Sequence, residues 1–310
     1  MQEFEFISWL IARQKNLAFQ APELLLGPGD DTAIIEFKQN RKLLYTSDML
    51  LDGVHFKLSE ANPQHIGHKC LAVNISDIAA MGGVPCSATI SMAIPKNLDP
   101  NTLKNIYIGI EATAQRYKIS IAGGDTNSWT GPFAISIALL GYSNNEPITR
   151  AGAKPGDDIY VTGELGGSIF GKHLTFEPRL KVAQTLTKHF KLNAMIDISD
   201  GLLQDLGHII QASKCGAILD KNAIPISAIA LEKSSDKNAA LEMALHDGED
   251  FELCFTVDKK DSKKLQEQSK ALFPEHKITK IGSIDRGNNV FWSDDIDKTP
   301  LKLSGFQHQF

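Results

Sequence analysis

Hydrophobic positions in the first half of the chain switch between two periods. Residues 3–16 place Phe6, Ile7, Leu10 and Ile11 at helical spacing. Gly27, Pro28 and Gly29 mark a turn, and strand-like runs follow at 32–38 and 42–50. Asn62 before Pro63 is a helix start: a capping residue, then proline at the first helical position. That helix is predicted to reach about Met81, where Gly82 and Gly83 stop it. Residues 87–94 read as a strand. Asp99-Pro100 repeats the start signal for a helix to about Tyr117, and strands are expected at 119–122 and 133–142.

Residues 143–158 form the best domain boundary, with Ser-Asn-Asn-Glu-Pro and then Gly-Ala-Lys-Pro-Gly-Asp-Asp. Beyond it, strands are predicted at 159–162, 195–198, 251–257, 278–284 and 289–292. Helices are predicted at 178–190, at 201–213 with Asp200 as cap, and at 261–272. Helices and strands mixed in both halves predict an α/β (α+β) protein of two domains, 1–145 and 150–310.

Composition adds bounds. A chain of 310 residues is long enough for two domains. With 42% hydrophobic and 22% charged residues it is of globular type. Lys and Arg number 32 against 37 Asp and Glu, a net −5, which disfavours a nonspecific nucleic-acid binder. The apolar stretch 71–95 is broken by Asn74, Asp77 and two glycines, so no membrane span is expected. Acids among the first residues do not suit a signal peptide. Cys70, Cys86, Cys215 and Cys254 are widely spaced, fitting reduced thiols in a cytoplasmic protein.

The chemistry lies in the acids. Glycine or serine precedes an acid at Gly29-Asp30-Asp31, Ser47-Asp48, Ser76-Asp77, Gly123-Gly124-Asp125, Asp197-Ile198-Ser199-Asp200 and Gly248-Glu249-Asp250, mostly between apolar flanks. Carboxylates held out of water need a partner or a cation. These clusters carry no Lys or Arg of their own. Hard oxygen donors favour Mg²⁺, which binds through a few carboxylates and substrate phosphates. Glycines let a polyphosphate approach backbone N–H groups. Any single Gly-Asp pair is ordinarily a turn, and Asp200 alone reads as a helix cap. Asp77 lies three residues after Asn74 in an apolar helix, so the two share a face.

Gly166 to His173 nearly satisfies the P-loop pattern, but His173 stands where a hydroxyl should meet Mg²⁺. A glycine-rich lead-in to a helix is the alternative.

Taken in order, several segments resemble the thiamine-monophosphate kinase family. They are Gly29-Asp-Asp, Thr46-Ser-Asp-Met-Leu-Leu-Asp-Gly-Val-His-Phe56, Leu71-Ala-Val-Asn-Ile-Ser-Asp-Ile-Ala-Ala-Met-Gly82, Gly123-Gly-Asp-Thr, Arg150-Ala-Gly-Ala-Lys-Pro-Gly-Asp, Ile196-Asp-Ile-Ser-Asp-Gly-Leu202 and Gly248-Glu-Asp-Phe-Glu-Leu253. The match departs at Thr126-Asn127-Ser128-Trp129 and at Asp247.

The resemblance implies a two-domain fold like aminoimidazole ribonucleotide synthetase. Its N-terminal domain would hold ATP and Mg²⁺ and form a homodimer through a barrel of joined sheets, and its C-terminal α/β domain would complete the active-site cleft. It implies transfer of the ATP γ-phosphoryl group to thiamine monophosphate, in line and without a covalent enzyme intermediate. The implied metal ligands are Asp31, Thr46, Ser47, Asp48, Asp77, Asp125, Asp197 and Asp200. The implied ATP contacts are Tyr107, Gly124, Arg150 and Ser199, and the implied substrate contacts are His55, Glu249 and Phe306. Two alternatives stand beside it: another synthetase or kinase of the same fold, and a non-catalytic Mg-nucleotide binding protein.

Overall fold

The computed structural model describes residues 9–10, 12–14, 22–26, 34–37, 41–297 and 299–306. The turn at 27–29, both ends of the expected strand at 32–38 and much of the helix at 3–16 lie outside them. The chain folds as two compact units. The first is Met1–Ile78 with Gly83–Glu146, and the second is Ala79–Gly82 with Pro147–Phe310.

In the first unit a short pair, β1 (Leu24–Leu26) and β2 (Ile34–Ile35), accompanies a four-stranded sheet. That sheet contains β3 (Lys42–Leu51), β4 (Val84–Pro95), β5 (Ser120–Trp129) and β6 (Ala134–Ser143), in the order β3-β6-β4-β5. β4 and β5 are parallel and the other pairs antiparallel. Helices α1 (Pro63–Ala80) and α2 (Pro100–Tyr117) start where Asn62-Pro63 and Asp99-Pro100 predict. The Asp99 carboxylate caps α2 by accepting from Thr102 N at 3.1 Å.

Glycines decide how closely α1 and α2 approach. A Cβ on Gly67 would sit 1.9 Å from the Ile106 carbonyl oxygen, and one on Gly109 would sit 2.0 Å from that of Gln64. Only hydrogen fits at either place. β3 alternates: Leu44, Thr46, Asp48 and Leu50 turn inward, while Leu43, Tyr45, Ser47 and Met49 are exposed.

β5 runs past the predicted end at Ala122 to Trp129. Its sequence Gly-Gly-Asp-Thr-Asn-Ser has turn chemistry, yet it is paired residue by residue with Thr89–Pro95 of β4. Tertiary pairing overrides local propensity there.

The second unit is a six-stranded sheet between helix layers. Its strands are β7 (Asp158–Thr162), β8 (Leu192–Ile198), β9 (Gly216–Leu219), β10 (Glu252–Val257), β11 (Ile278–Asp285) and β12 (Val290–Trp292), in the order β12-β9-β11-β7-β10-β8. The helices are α3 (Leu180–His189), α4 (Leu202–Ser213), α5 (Ala228–Lys233), α6 (Lys237–His246) and α7 (Lys259–Leu272). Ile159, Val161, Ile196, Ile198 and Cys254 share one core with Leu206 and Ile209 of α4 and Leu241 and Leu245 of α6. Tyr160 lies on the other face, bonded to Ser262 of α7 and stacked on Phe255. With both faces covered, β7 and β10 are buried throughout. β9, α5 and α6 were not among the predicted elements. All four cysteines are buried free thiols, and no helix among the described residues is long and apolar enough to cross a membrane.

Candidate functional site

In the first unit, β3 and α1 bring three predicted residues together. Thr46 and Asp48 point inward from β3, and Asp77 meets them from α1. The Thr46 hydroxyl donates to Asp77 Oδ2. Asn74, one turn earlier on α1, accepts from the Asp48 backbone N–H at 3.2 Å, so the face shared by Asn74 and Asp77 is the one that meets β3. Asp48 is pushed up to about 7, first by burial and then by the charge of Asp77 and a hydrogen bond with it. Two carboxyl groups coupled in this way do not both ionise easily.

The donors here are carboxylate and hydroxyl oxygens, and the repulsion between the acids is what a hard divalent cation would relieve. The residues therefore fit Mg²⁺, with Asp48, Asp77 and Thr46 as the side chains that would hold it.

Other predicted residues of this unit lie elsewhere. The Ser47 side chain is on the opposite face of β3, with its Oγ 3.4 Å from that of Ser136. Asp125, exposed on β5, accepts from Asn127 Nδ2 at 2.8 Å. Gly124 lies in register with Ile90, Ile137 and Asp48 across the sheet, so about 14 Å separates it from Asp48. A Cβ on Gly124 would fall 1.9 Å from the Ile90 carbonyl oxygen.

Tyr107 is a core residue of α2. Its hydroxyl accepts from Gln14 Nε2 at 2.8 Å, and its ring meets Trp9 edge-on. At 2% exposure it offers a nucleotide almost no surface. His55 sits in the turn after β3, its Nδ1 accepting from Leu51 N at 3.0 Å, so the neutral ring carries its proton on Nε2. The fully buried Lys69 of α1 donates to the His55 carbonyl at 2.5 Å. Asp31 lies outside the described residues.

In the second unit the predicted acids gather where β8 ends and α4 begins. Asp197 is buried at the end of β8, and Ser199 and Asp200 form the turn. One expectation is corrected here. Asp200 does not cap α4: the capping position is Gly201, at φ +116°, and no side chain caps it. Asp205, in the first turn of the helix, reaches back instead. Its Oδ2 accepts from the backbone N–H groups of Ser199, Asp200 and Gly201 at 3.0, 3.0 and 3.2 Å. Burial nevertheless pushes Asp205 up to about 7, with Asp200 adding repulsion against the amides that lower it. Asp200, Asp205 and His208 each bring a ligand atom within 4.8 Å of the others. Burial lowers His208, as does the charge of Arg150, which places Arg150 electrostatically beside this cluster.

The chain returns to this turn twice. The Glu249 and Phe251 amides donate to the Ser199 and Ile198 carbonyls at 2.7 and 2.8 Å, and the Phe306 amide donates to that of Asp200 at 2.9 Å. Thus Asp197, Ser199, Asp200, Glu249 and Phe306 share one neighbourhood. Asp205 and His208 escaped the sequence reading, because an acid and a histidine on a helix face look solvated until the preceding turn folds onto them.

The P-loop resemblance dissolves. Residues Ser168–Phe170 and Lys172–Leu174 are short 3-10 turns, not the lead-in to a helix. Lys172 Nζ is bound to Glu252 at 3.0 Å.

Fold and acids together define an AIR synthase related protein. The N-terminal domain of that description matches residues 29–143 and its C-terminal domain matches 140–293. The chain belongs to the thiamine-monophosphate kinase family. It is 41% identical to the thiamine-monophosphate kinase of Rhodopirellula baltica, with 82% of each chain covered. It is 39% identical to that of Buchnera aphidicola subsp. Schizaphis graminum, over 99% of this chain and 98% of the relative. Among solved structures, the thiamine-monophosphate kinase of Stenotrophomonas maltophilia K279a superposes with a TM-score of 0.81 at 31% identity, covering 95% of this chain and 98% of that one. AaThiL complexed with AMPPCP and TMP superposes with a TM-score of 0.76 at 30% identity, covering 99% and 97%.

Proposed function

We propose that this chain transfers the γ-phosphoryl group of ATP to thiamine monophosphate, giving thiamine diphosphate and ADP. The Asp48–Asp77 pair carries this reading: two acids held together at a cost that a metal-bound triphosphate removes. The relative complexed with AMPPCP and TMP supports both substrates.

Bound Mg²⁺ would neutralise phosphate charge as it develops in transfer. Asp48, Asp77 and Thr46 would hold it in the first unit, with Asp31 and Asp125 as further ligands, Ser47 contributing from the strand, and Asp197 and Asp200 serving in the second unit. Gly124, Arg150 and Ser199 contact the nucleotide. His55, Glu249 and Phe306 contact the acceptor. The acceptor phosphate is anionic near neutral pH, so its oxygen attacks in line without a strong general base. The chain's work is positioning and charge compensation.

Two copies would join through the outer face of the β3 sheet, where Leu43, Tyr45 and Met49 are 55%, 73% and 62% exposed. The test is a stoichiometric assay. Purified protein with ATP, Mg²⁺ and thiamine monophosphate is expected to form thiamine diphosphate and ADP one for one. ADP without thiamine diphosphate would reject the acceptor.

A further inference from the structure

Residues 249–252 carry an unusual backbone. Glu249 and Phe251 are non-glycine residues at φ +65° and +50°, a left-handed region that side chains other than glycine's adopt only where the surroundings impose it. The surroundings do so residue by residue. Glu249 Oε2 lies 2.8 Å from His173 Nδ1. The fully buried Asp250 accepts from Gly166 N at 2.8 Å and from the Ser168 hydroxyl. Phe251 stacks on Phe176, with centroids 4.1 Å apart and planes at 15°. Glu252 is held by Arg179 through two 2.6 Å bonds, by Lys172 at 3.0 Å and by the Thr162 hydroxyl at 2.6 Å. Four successive residues are thus each latched to the segment 162–179.

Three of these latches hold the backbone or a buried side chain. The fourth latch, His173, grips the side chain that faces function. The imidazole is 7% exposed and the Glu249 side chain 21%, so the bond fixes one carboxylate oxygen while part of the group stays accessible. We infer that His173 is a positioning residue for the acceptor site: it orients Glu249, and the glycine-rich turn 166–173 is the frame that makes this possible. The inference rests on the reading of Glu249 as an acceptor contact. It gives a role to a motif that resembles a phosphate loop and is none.

The test compares two substitutions of similar polarity. His173→Asn places an amide nitrogen near where Nδ1 stands, and His173→Gln places it near Nε2. With steady-state kinetics of ATP and thiamine monophosphate, the Gln variant is expected to raise KM for the monophosphate about tenfold, the loss of one hydrogen bond to a charged group. The Asn variant should stay near wild type, with KM for ATP unchanged in both. Ser168→Ala, nearly isosteric, loosens the frame at Asp250 and should raise the same KM about threefold, even if neither histidine variant folds. Equal values for Asn and Gln, or both KM values rising together, would overturn the inference, as would no effect of the serine change. Glu249→Gln separates the two levels. If it leaves KM for the monophosphate unchanged, the reading of Glu249 fails. If it raises that KM while His173→Gln does not, only the positioning role fails.

Discussion

Asp48 and Asp77 share a hydrogen bond between a strand and a helix, and burial beside the second acid lifts the first to about 7. Near neutral pH the pair therefore stands at the edge of losing its shared proton. A divalent cation held by the proposed site would replace that proton.

Replacing Asp48 or Asp77 with Asn should lower turnover about a hundredfold or more, because metal-held charge compensation is lost while the fold remains. Steady-state rates alongside circular dichroism check this. Wild-type turnover with unchanged Mg²⁺ dependence would contradict the assignment.

The same pair sets a pH dependence of stability. Asp48 titrates near 3.9 when unfolded and near 7 when folded. Its contribution is complete below the unfolded value and is lost as pH rises through the folded one. Asp48→Asn removes this loss. In EDTA the variant's advantage in Tm over wild type should grow from pH 5 to pH 8, and Mg²⁺ should close the gap at pH 8. A pH-independent difference would count against the buried pair.

Glu252 behaves oppositely. Burial would raise it, but Arg179, Lys172 and Thr162 hold it below the usual carboxylate value. Its stabilisation is present above the unfolded value and lost as pH falls through the folded one. Glu252→Gln leaves two cations without their buried partner and should cost roughly 3 kcal/mol, read as a lower urea midpoint. An unchanged midpoint would show the network to be incidental.

Much of this was legible in the chain. Asn62-Pro63 and Asp99-Pro100 announce α1 and α2 because capping and proline act locally. The shared face of Asn74 and Asp77 follows from helical spacing alone. What escaped depends on distant partners. Residues 123–129 look like a turn until β4 pairs with them. Asp205 looks like a surface acid until it accepts three amides from the turn before it. Asp200 looks like a cap until Asp205 takes that work. Ser227 and Asp236 do cap α5 and α6, a local signal the hydrophobic pattern did not bring forward.

Gly67→Ala should separate α1 from α2. The new methyl would stand 1.9 Å from a backbone oxygen, so a main-chain shift costing about 3 kcal/mol is expected. Thermal unfolding measures it. A Tm within a degree of wild type would contradict the close crossing.

Tyr45→Glu places a charge on the exposed sheet face. Light scattering is expected to give twice the chain mass for wild type and a single chain mass for the variant. A monomeric wild-type protein would remove the dimer from the account.

The most direct measurement is calorimetric titration of AMPPCP into the protein with and without Mg²⁺. Wild type should bind the analogue tightly only with Mg²⁺ present, and Asp48→Asn and Asp77→Asn should each weaken that binding at least about tenfold. Equal affinity in all three proteins, or binding indifferent to Mg²⁺, would contradict the claim that this acid pair exists to hold a metal-bound triphosphate.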